Sequence, residues 1–152
     1  MAVSGITYEV DGWGVGKLWL EGDRLLHHDL PRPGDEPTEG SHRLAERLKA
    51  YFAGADDGFA DVELDIGFDT PFQRAVAETL RSIPRGETVT YGELAALAGY
   101  PNAHRAAGTV CARNRFPIVV PCHRVTGANG LGRFGSLGIG YKQRLLGLEA
   151  AA

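Results

Sequence analysis

Cys122-His123, a cysteine followed directly by a histidine, is the pair in this sequence best suited to covalent chemistry. A thiol becomes a strong nucleophile only on losing its proton, and free cysteine has a pKa of about 8.5, so a base must stand nearby. His123 is next along the chain, but neighbours in an extended segment point to opposite sides. In a tight turn after Pro121 the two could converge, directly or through a water. Glu149 is the only acid after Glu93, and so the candidate carboxylate to orient the imidazole. The residues alone leave a second reading open, in which Cys122 is a small buried hydrophobe and His123 a satisfied core side chain.

The other cysteine is Cys111. Two thiols make no disulfide framework, and no further Cys or His pair completes a four-ligand zinc site. Neither a metal nor a cofactor is expected. No run approaches the roughly 18 apolar residues of a membrane span. No basic-then-apolar leader opens the chain, so a soluble, cytoplasmic protein with no membrane partner is expected.

The net charge of -3 hides an asymmetry. Residues 1–70 hold 6 Lys+Arg against 15 Asp+Glu, and residues 71–152 hold 10 against 4. A basic half fits contact with a polyanion, although charge of either sign also serves simple solvation.

These residues must be positioned by the elements around them. Ile6, Tyr8 and Val10 alternate with polar neighbours, Val15 to Leu20 reads as a second strand and Arg24 to Leu30 as a third, making a meander. Pro31 to Gly40 is a loop, Leu44, Leu48, Tyr51 and Phe52 fall at helical spacing, and Val62, Leu64 and Ile66 suit one more short strand. Thr70-Pro71-Phe72-Gln73 is a capping box, opening a helix with Phe72, Val76, Leu80 and Ile83 on one stripe. Thr90-Tyr91-Gly92-Glu93 is a second box, opening a short helix that Gly99 closes. Asn102 is placed to cap a third helix, Ala103 to Arg113. Two short helices joined by a Gly-Tyr-Pro-Asn turn read as helix-turn-helix, which places a helix against DNA. Phe116 to Val120 is an apolar run expected to be buried and extended, feeding the cysteine. A glycine-rich loop follows, then a closing helix from Tyr141 to Glu149 with Tyr141, Leu145 and Leu148 inward.

Pro121-Cys122-His123-Arg124-Val125, together with Thr90-Tyr91-Gly92-Glu93-Leu94-Ala95, His104-Arg105-Ala106-Ala107-Gly108 and Asn114, resembles the O6-alkylguanine-DNA alkyltransferases, the methylated-DNA–protein-cysteine methyltransferases. The resemblance runs from Thr70 to Glu149 and is looser before it, mainly in the Gly14–Gly16–Leu18 hairpin. It implies an α+β fold: a small ribonuclease-H-like β-meander and helix domain over 1–69, then a mostly helical, winged-helix-like domain with helix-turn-helix over 70–152. It also implies single-turnover transfer of an alkyl group from O6-alkylguanine in duplex DNA to Cys122, with O4-alkylthymine left open as a substrate. An alkylated O6 lies inside the duplex, so the nucleotide must be turned out of the stack.

By the same resemblance, Glu149 orients His123, which takes the Cys122 proton through a water. Tyr91 crowds the target phosphate and donates to the departing base, and Asn114 ties the recognition helix to the cysteine turn. Arg105 fills the gap in the duplex, while Ala103, Ala106 and Gly108 let the helix sit deep in the minor groove. The carbonyls of Cys122 and Val125 read the guanine amino group, and the Ser136 backbone approaches O6. Arg124 is structural, and Cys111 packs on the inner face of the recognition helix. The expected partner is double-stranded DNA carrying alkylated guanine, bound by a monomer in the nucleoid, with cooperative binding left open.

Two positions depart from the family pattern. His104 stands where a small residue is usual and would reach a phosphate or crowd the groove, and Phe134 stands one position earlier than the usual loop aromatic. Relatives that bind lesions without repairing them replace the cysteine, which is present here. A transcription factor would want side chains able to read major-groove edges, and Ala-Ala-Gly after Arg105 offers few. A thiol hydrolase would want a cleft motif beyond Cys-His.

Overall fold

In the computed structural model, residues 2–65, 68–132, 134 and 137–151 are described, and they form two units. The first comprises the chain up to Asp65 together with Arg115–Pro117. Strands β1 (Val3–Val10), β2 (Gly14–Glu21) and β3 (Arg24–Arg32) make an antiparallel sheet in the order β1-β2-β3. β3 therefore takes in the first two residues of the expected loop. Alternation along β2 buries Gly16, Leu18 and Leu20 and leaves Lys17 and Trp19 half-exposed, as the two-residue period of a strand requires. Gly16 is obligatory, because a Cβ there would lie 2.4 Å from the Tyr8 ring.

Helix α1 (Arg43–Phe52) buries Leu44, Leu48 and Tyr51, and the imidazole of His42 caps it by accepting from the Leu44 N–H at 3.0 Å. The expected strand around Leu64 is reduced to one parallel bridge between Leu25 and Leu64, and Ile66 lies outside the described residues. Alternating apolar residues make a strand only where a partner runs alongside, and β3 offers a partner at one position.

Arg115–Pro117 belongs to this unit through His28. The His28 backbone N–H donates to Arg115 O at 2.9 Å, and its Nδ1 donates to Pro117 O at 2.7 Å. The Tyr8 hydroxyl then donates to Nε2 at 2.5 Å, so both ring nitrogens are satisfied in the neutral imidazole.

The second unit carries the helices. Both capping boxes form. Thr70 Oγ1 accepts from the Gln73 N–H at the start of α2 (Pro71–Ser82), and Thr90 Oγ1 accepts from the Glu93 N–H at the start of α3 (Tyr91–Leu97). Between these helices, β4 (Val89–Thr90) pairs in parallel with β5 (Val125–Thr126), setting the first residue of α3 beside the segment that follows the cysteine. Helix α4 (His104–Ala112) follows α3 after a turn. Its N-cap is Ala103, with no side-chain bond. Asn102, expected as the cap, instead takes a left-handed conformation with φ +72 and turns the chain, which Asn tolerates better than most residues.

The Phe116–Val120 run is buried at Phe116, Ile118, Val119 and Val120 but is not extended. Ile118 sits at φ +73 within a turn. Apolar composition dictates burial here, not conformation. The closing helix α5 (Gly138–Ala150) is also rotated from expectation: Lys142, Leu145 and Glu149 face inward, while Tyr141 and Leu148 are half-buried. Among the described residues no helix is long and apolar enough to cross a membrane.

Candidate active site

Cys122, His123 and Arg124 form a single 3₁₀ turn after Pro121, closed by the Arg124 N–H donating to Pro121 O at 3.0 Å. Cys122 is 9% exposed, and His123 and Arg124 are buried. The turn points the three side chains to different partners. The Cys122 Sγ accepts from Asn114 Nδ2 at 3.2 Å, and the same amide donates to Val120 O at 2.8 Å. Asn114, just past α4, thus bonds on both sides of Pro121, to the Val120 carbonyl and to the sulfur.

His123 and Arg124 converge on Glu149 of α5. His123 Nε2 lies 2.7 Å from Glu149 Oε2, while Arg124 Nε donates to Oε1 at 2.9 Å and Nη2 to Oε2 at 2.8 Å. The remaining Arg124 fork donates from Nη1 to Ile83 O at 2.6 Å. An ionised carboxylate only accepts, so the His123 proton is assigned to Nε2 and the lone pair to Nδ1. Nδ1 is the buried side-chain polar atom left without a hydrogen-bond partner among the described residues. A buried nitrogen with an unused lone pair is costly unless something else uses it. That makes it the natural base of the site. No hydrogen bond joins it to the sulfur, so a proton passing between them needs a bridge.

Burial pushes the Cys122 thiol above its ordinary pKa, opposed by the Asn114 hydrogen bond and the charge of Lys142. Burial also pushes His123 down, against the pull of Glu149. The resting pair is therefore neutral thiol and neutral imidazole, and the nucleophile must be generated when it is used.

Tyr91 opens α3 half-buried, its ring against two glycines. A Cβ on Gly108 of α4 would lie 3.7 Å from that ring, and one on Gly132 would lie 3.1 Å away. Gly132 also holds φ +78, so both space and backbone demand glycine. Burial lifts the Tyr91 phenol above its ordinary value, keeping it a proton donor. Along α4, His104, Arg105 and Ala106 are exposed and Ala103 and Gly108 half-exposed, whereas Ala107 and Val110 are buried. Cys111 is half-buried on the same helix, its thiol pushed up to about 12 mainly by burial.

Val125 is buried, and its carbonyl accepts from Lys142 Nζ. Phe134 is half-buried, stacked on Tyr141 at 6.2 Å between ring centroids. Ser136 lies outside the described residues. A cleft of about 390 Å³ lined by Phe72, Gln73, Ala106, Thr109, Val110 and Arg113 contains none of the reactive groups. Among the described residues no three His, Cys, Asp or Glu side chains are placed to hold a metal ion.

The sequence reasoning passed over Lys142. The available signal was helical spacing, since residues 142, 145 and 149 share a face of α5. A lysine on an inward stripe is unusual enough to have been singled out.

The model of the family described as 6-O-methylguanine DNA methyltransferase, DNA binding domain, matches residues 71–151. The methylated-DNA–protein-cysteine methyltransferase of Mycobacterium bovis is 50% identical, the match covering 95% of this chain and 92% of that protein. The protein of the same name from Methanopyrus kandleri is 44% identical, over 84% of this chain and 96% of its own length. The solved structure of Mycobacterium tuberculosis OGT in complex with DNA is similar with a TM-score of 0.78 at 38% identity, covering 96% of this chain and 92% of that one.

Proposed function

The chain belongs to the methylated-DNA–protein-cysteine methyltransferase family, and on that premise we propose that it repairs duplex DNA by moving an alkyl group from guanine O6 to Cys122. The observation that carries this reading is the relay behind the sulfur: Arg124 and Glu149 fix the His123 tautomer, and its free Nδ1 is left as a base.

The base must first leave the stack, at a cost of a few kcal/mol. Arg105, exposed on α4 among small residues, fills the space it vacates, and Tyr91 crowds the phosphate. The turned-out guanine is read by the carbonyls of Cys122 and Val125, with the Ser136 backbone near O6. A carbonyl oxygen has two lone pairs, so the bond from Lys142 leaves the Val125 oxygen one for the base.

The Cys122 proton then passes through a bridging water to His123 Nδ1. The sulfur electron pair forms the new S–C bond while the C–O6 bond breaks, its electrons staying with guanine. The Tyr91 hydroxyl donates to guanine N3 as that charge appears. The thioether is stable and no neighbouring group can hydrolyse it, so each molecule acts once.

We further propose that residues 1–69 make a ribonuclease-H-like structural domain, supported by the three-stranded meander and α1. Residues 70–152 make a winged-helix-like domain, supported by the α3–turn–α4 pair and the β4–β5 ribbon. The site of action is the cytoplasm, at the nucleoid, as a monomer.

Mixing the protein with duplex DNA containing O6-methylguanine and weighing the Cys122 peptide tests the reading. One added methyl is expected. Cys122→Ala is expected to gain none while still binding DNA. An unchanged mass in the wild type, with DNA bound, would leave a lesion binder and sink the transferase assignment. Methyl uptake by the mutant would make Cys111 the acceptor.

A further inference from the structure

The chain from Ile83 to Gly86, between α2 and β4, meets both the relay and the last turn of α5. Ile83 O accepts from Arg124 Nη1 at 2.6 Å, and Arg85 Nη2 donates to Leu148 O at 3.2 Å. Gly86, at φ +86, brings its backbone against the same turn, since a Cβ there would lie 3.5 Å from Glu149 O. The first contact holds the guanidinium that grips Glu149. The other two fall on the peptide groups either side of the Cα that carries the Glu149 carboxylate.

Helix α5 ends at Ala150, so Leu148 O is one of the last carbonyls, which find no partner within a helix. The last turn carries no basic residue of its own, although a cation is favoured at that end of the helix dipole. Arg85, half-buried, supplies both needs from another element: a donor for Leu148 O and a positive charge at the C-terminal end. Helix ends fray, yet Glu149 must hold His123 Nε2 at 2.7 Å from the last turn. Its carboxylate can set the tautomer only as firmly as that turn is docked.

We infer that Arg85 is a positioning residue for the transfer: by pinning the last turn of α5 it keeps the Glu149 carboxylate on His123, and so keeps the imidazole proton on Nε2. This rests on the transferase reading for the rate that is served, but not for the tautomer that is set. The action of Arg85 runs through Glu149. Its effect on rate must therefore vanish once position 149 can no longer fix the ring.

The test uses the full chain. Side-chain proton–nitrogen NMR of the five histidines reads the His123 tautomer with no substrate present. Single-turnover methyl uptake from duplex DNA containing O6-methylguanine reads the rate, with duplex affinity measured separately. Wild type is expected to show one His123 tautomer, with the proton on Nε2. Arg85→Met, long but with no charge and no donor, is expected to show a mixture. Its maximal rate is expected to fall about tenfold at unchanged affinity, within the roughly 100-fold that a remote misplacement can cost. In a Glu149→Gln background the same substitution is expected to change the rate by less than about twofold, because the two residues act as a unit. Arg85→Lys keeps a charged donor and is expected to keep the single tautomer and the rate. A folded Arg85→Met protein with the single tautomer of wild type would overturn the inference, whatever its rate. So would a tenfold loss repeated in full in the Glu149→Gln background. A mixed tautomer in folded Arg85→Lys would do the same, and decides the matter if the methionine variant does not fold. If wild-type Cys122 takes no methyl from any substrate, the repair reading fails, yet the tautomer comparison still judges Arg85.

Discussion

Replacing Glu149 by glutamine removes one charge and changes almost nothing in shape. The carboxylate accepts from His123 at 2.7 Å and twice from Arg124, at 2.9 and 2.8 Å, inside the protein. An amide has one accepting oxygen. If that oxygen serves Arg124, the NH₂ faces His123 and its Nε2 must become an acceptor, which moves the ring proton to Nδ1 and abolishes the base. If the amide turns the other way, Arg124 loses a bond and keeps an uncompensated buried charge. Breaking one side of a buried pair costs about 3–5 kcal/mol, against a total stability of about 5–15 kcal/mol. For a chain of this length, about 2–4 °C is lost per kcal/mol, so Tm should fall by roughly 10 °C.

Two effects on rate oppose each other. Loss of a negative charge favours the thiolate, by about tenfold at most. Loss of the general base costs about 10²- to 10⁴-fold. The second should win, and Glu149→Gln should transfer methyl at least about tenfold more slowly than wild type. The assay is single-turnover methyl uptake from methylated duplex DNA, well below the variant's Tm, with the folded fraction measured by circular dichroism. A variant of wild-type stability reacting within about threefold of wild type would refute the proposed relay, because one amide orientation costs the base-assisted rate and the other costs the Arg124 bond.

Other outcomes follow from the same structure. The His28 pKa is held down at about 4 by burial, below its ordinary 6.5, so the unfolded chain protonates first. The stability this gives is complete above about pH 6.5 and drains away as pH falls towards about 4, an amount of order 3 kcal/mol. His28→Gln should flatten that part of the slope in urea titrations, and an unchanged slope would exclude His28 as its source. Arg105→Ala should slow repair in duplex DNA while leaving reaction with free O6-methylguanine near normal, and equal losses on both would rule out a gap-filling role. Thr90→Ala removes the bond to the Glu93 N–H and should cost about 1 kcal/mol in chemical denaturation. If stability is unchanged, the cap does not hold Tyr91 in place.

Much of the local structure could be read from the chain because its causes are local. A Thr–x–x–Gln or Thr–x–x–Glu box satisfies backbone donors three residues away, and both boxes form where the spacing placed them. Errors arose where conformation depends on distant partners. Phe116 to Val120 is apolar in either a strand or a turn, and only packing selects the turn with Ile118 left-handed. Tyr141 and Leu148 looked like part of the inner stripe of α5 beside Leu145 because lysine ranks as a surface residue, leaving Lys142 unread. In the fold, Lys142 and Glu149 turn inward to carbonyls and to a guanidinium that only the tertiary structure supplies. Cys122, His123 and Glu149 could be picked out by type and resemblance. The unused Nδ1 could not, because it exists only once Glu149 has claimed the other nitrogen.

Glu149 comes 26 positions after His123 in the chain. A polypeptide growing from its amino terminus therefore holds sulfur, imidazole and guanidinium well before the anion that organises them. Without α5 in place the imidazole exchanges between its two proton positions, and no fixed lone pair is left to serve as the base. Base assistance is thus a property of the folded chain, not of the Cys-His pair.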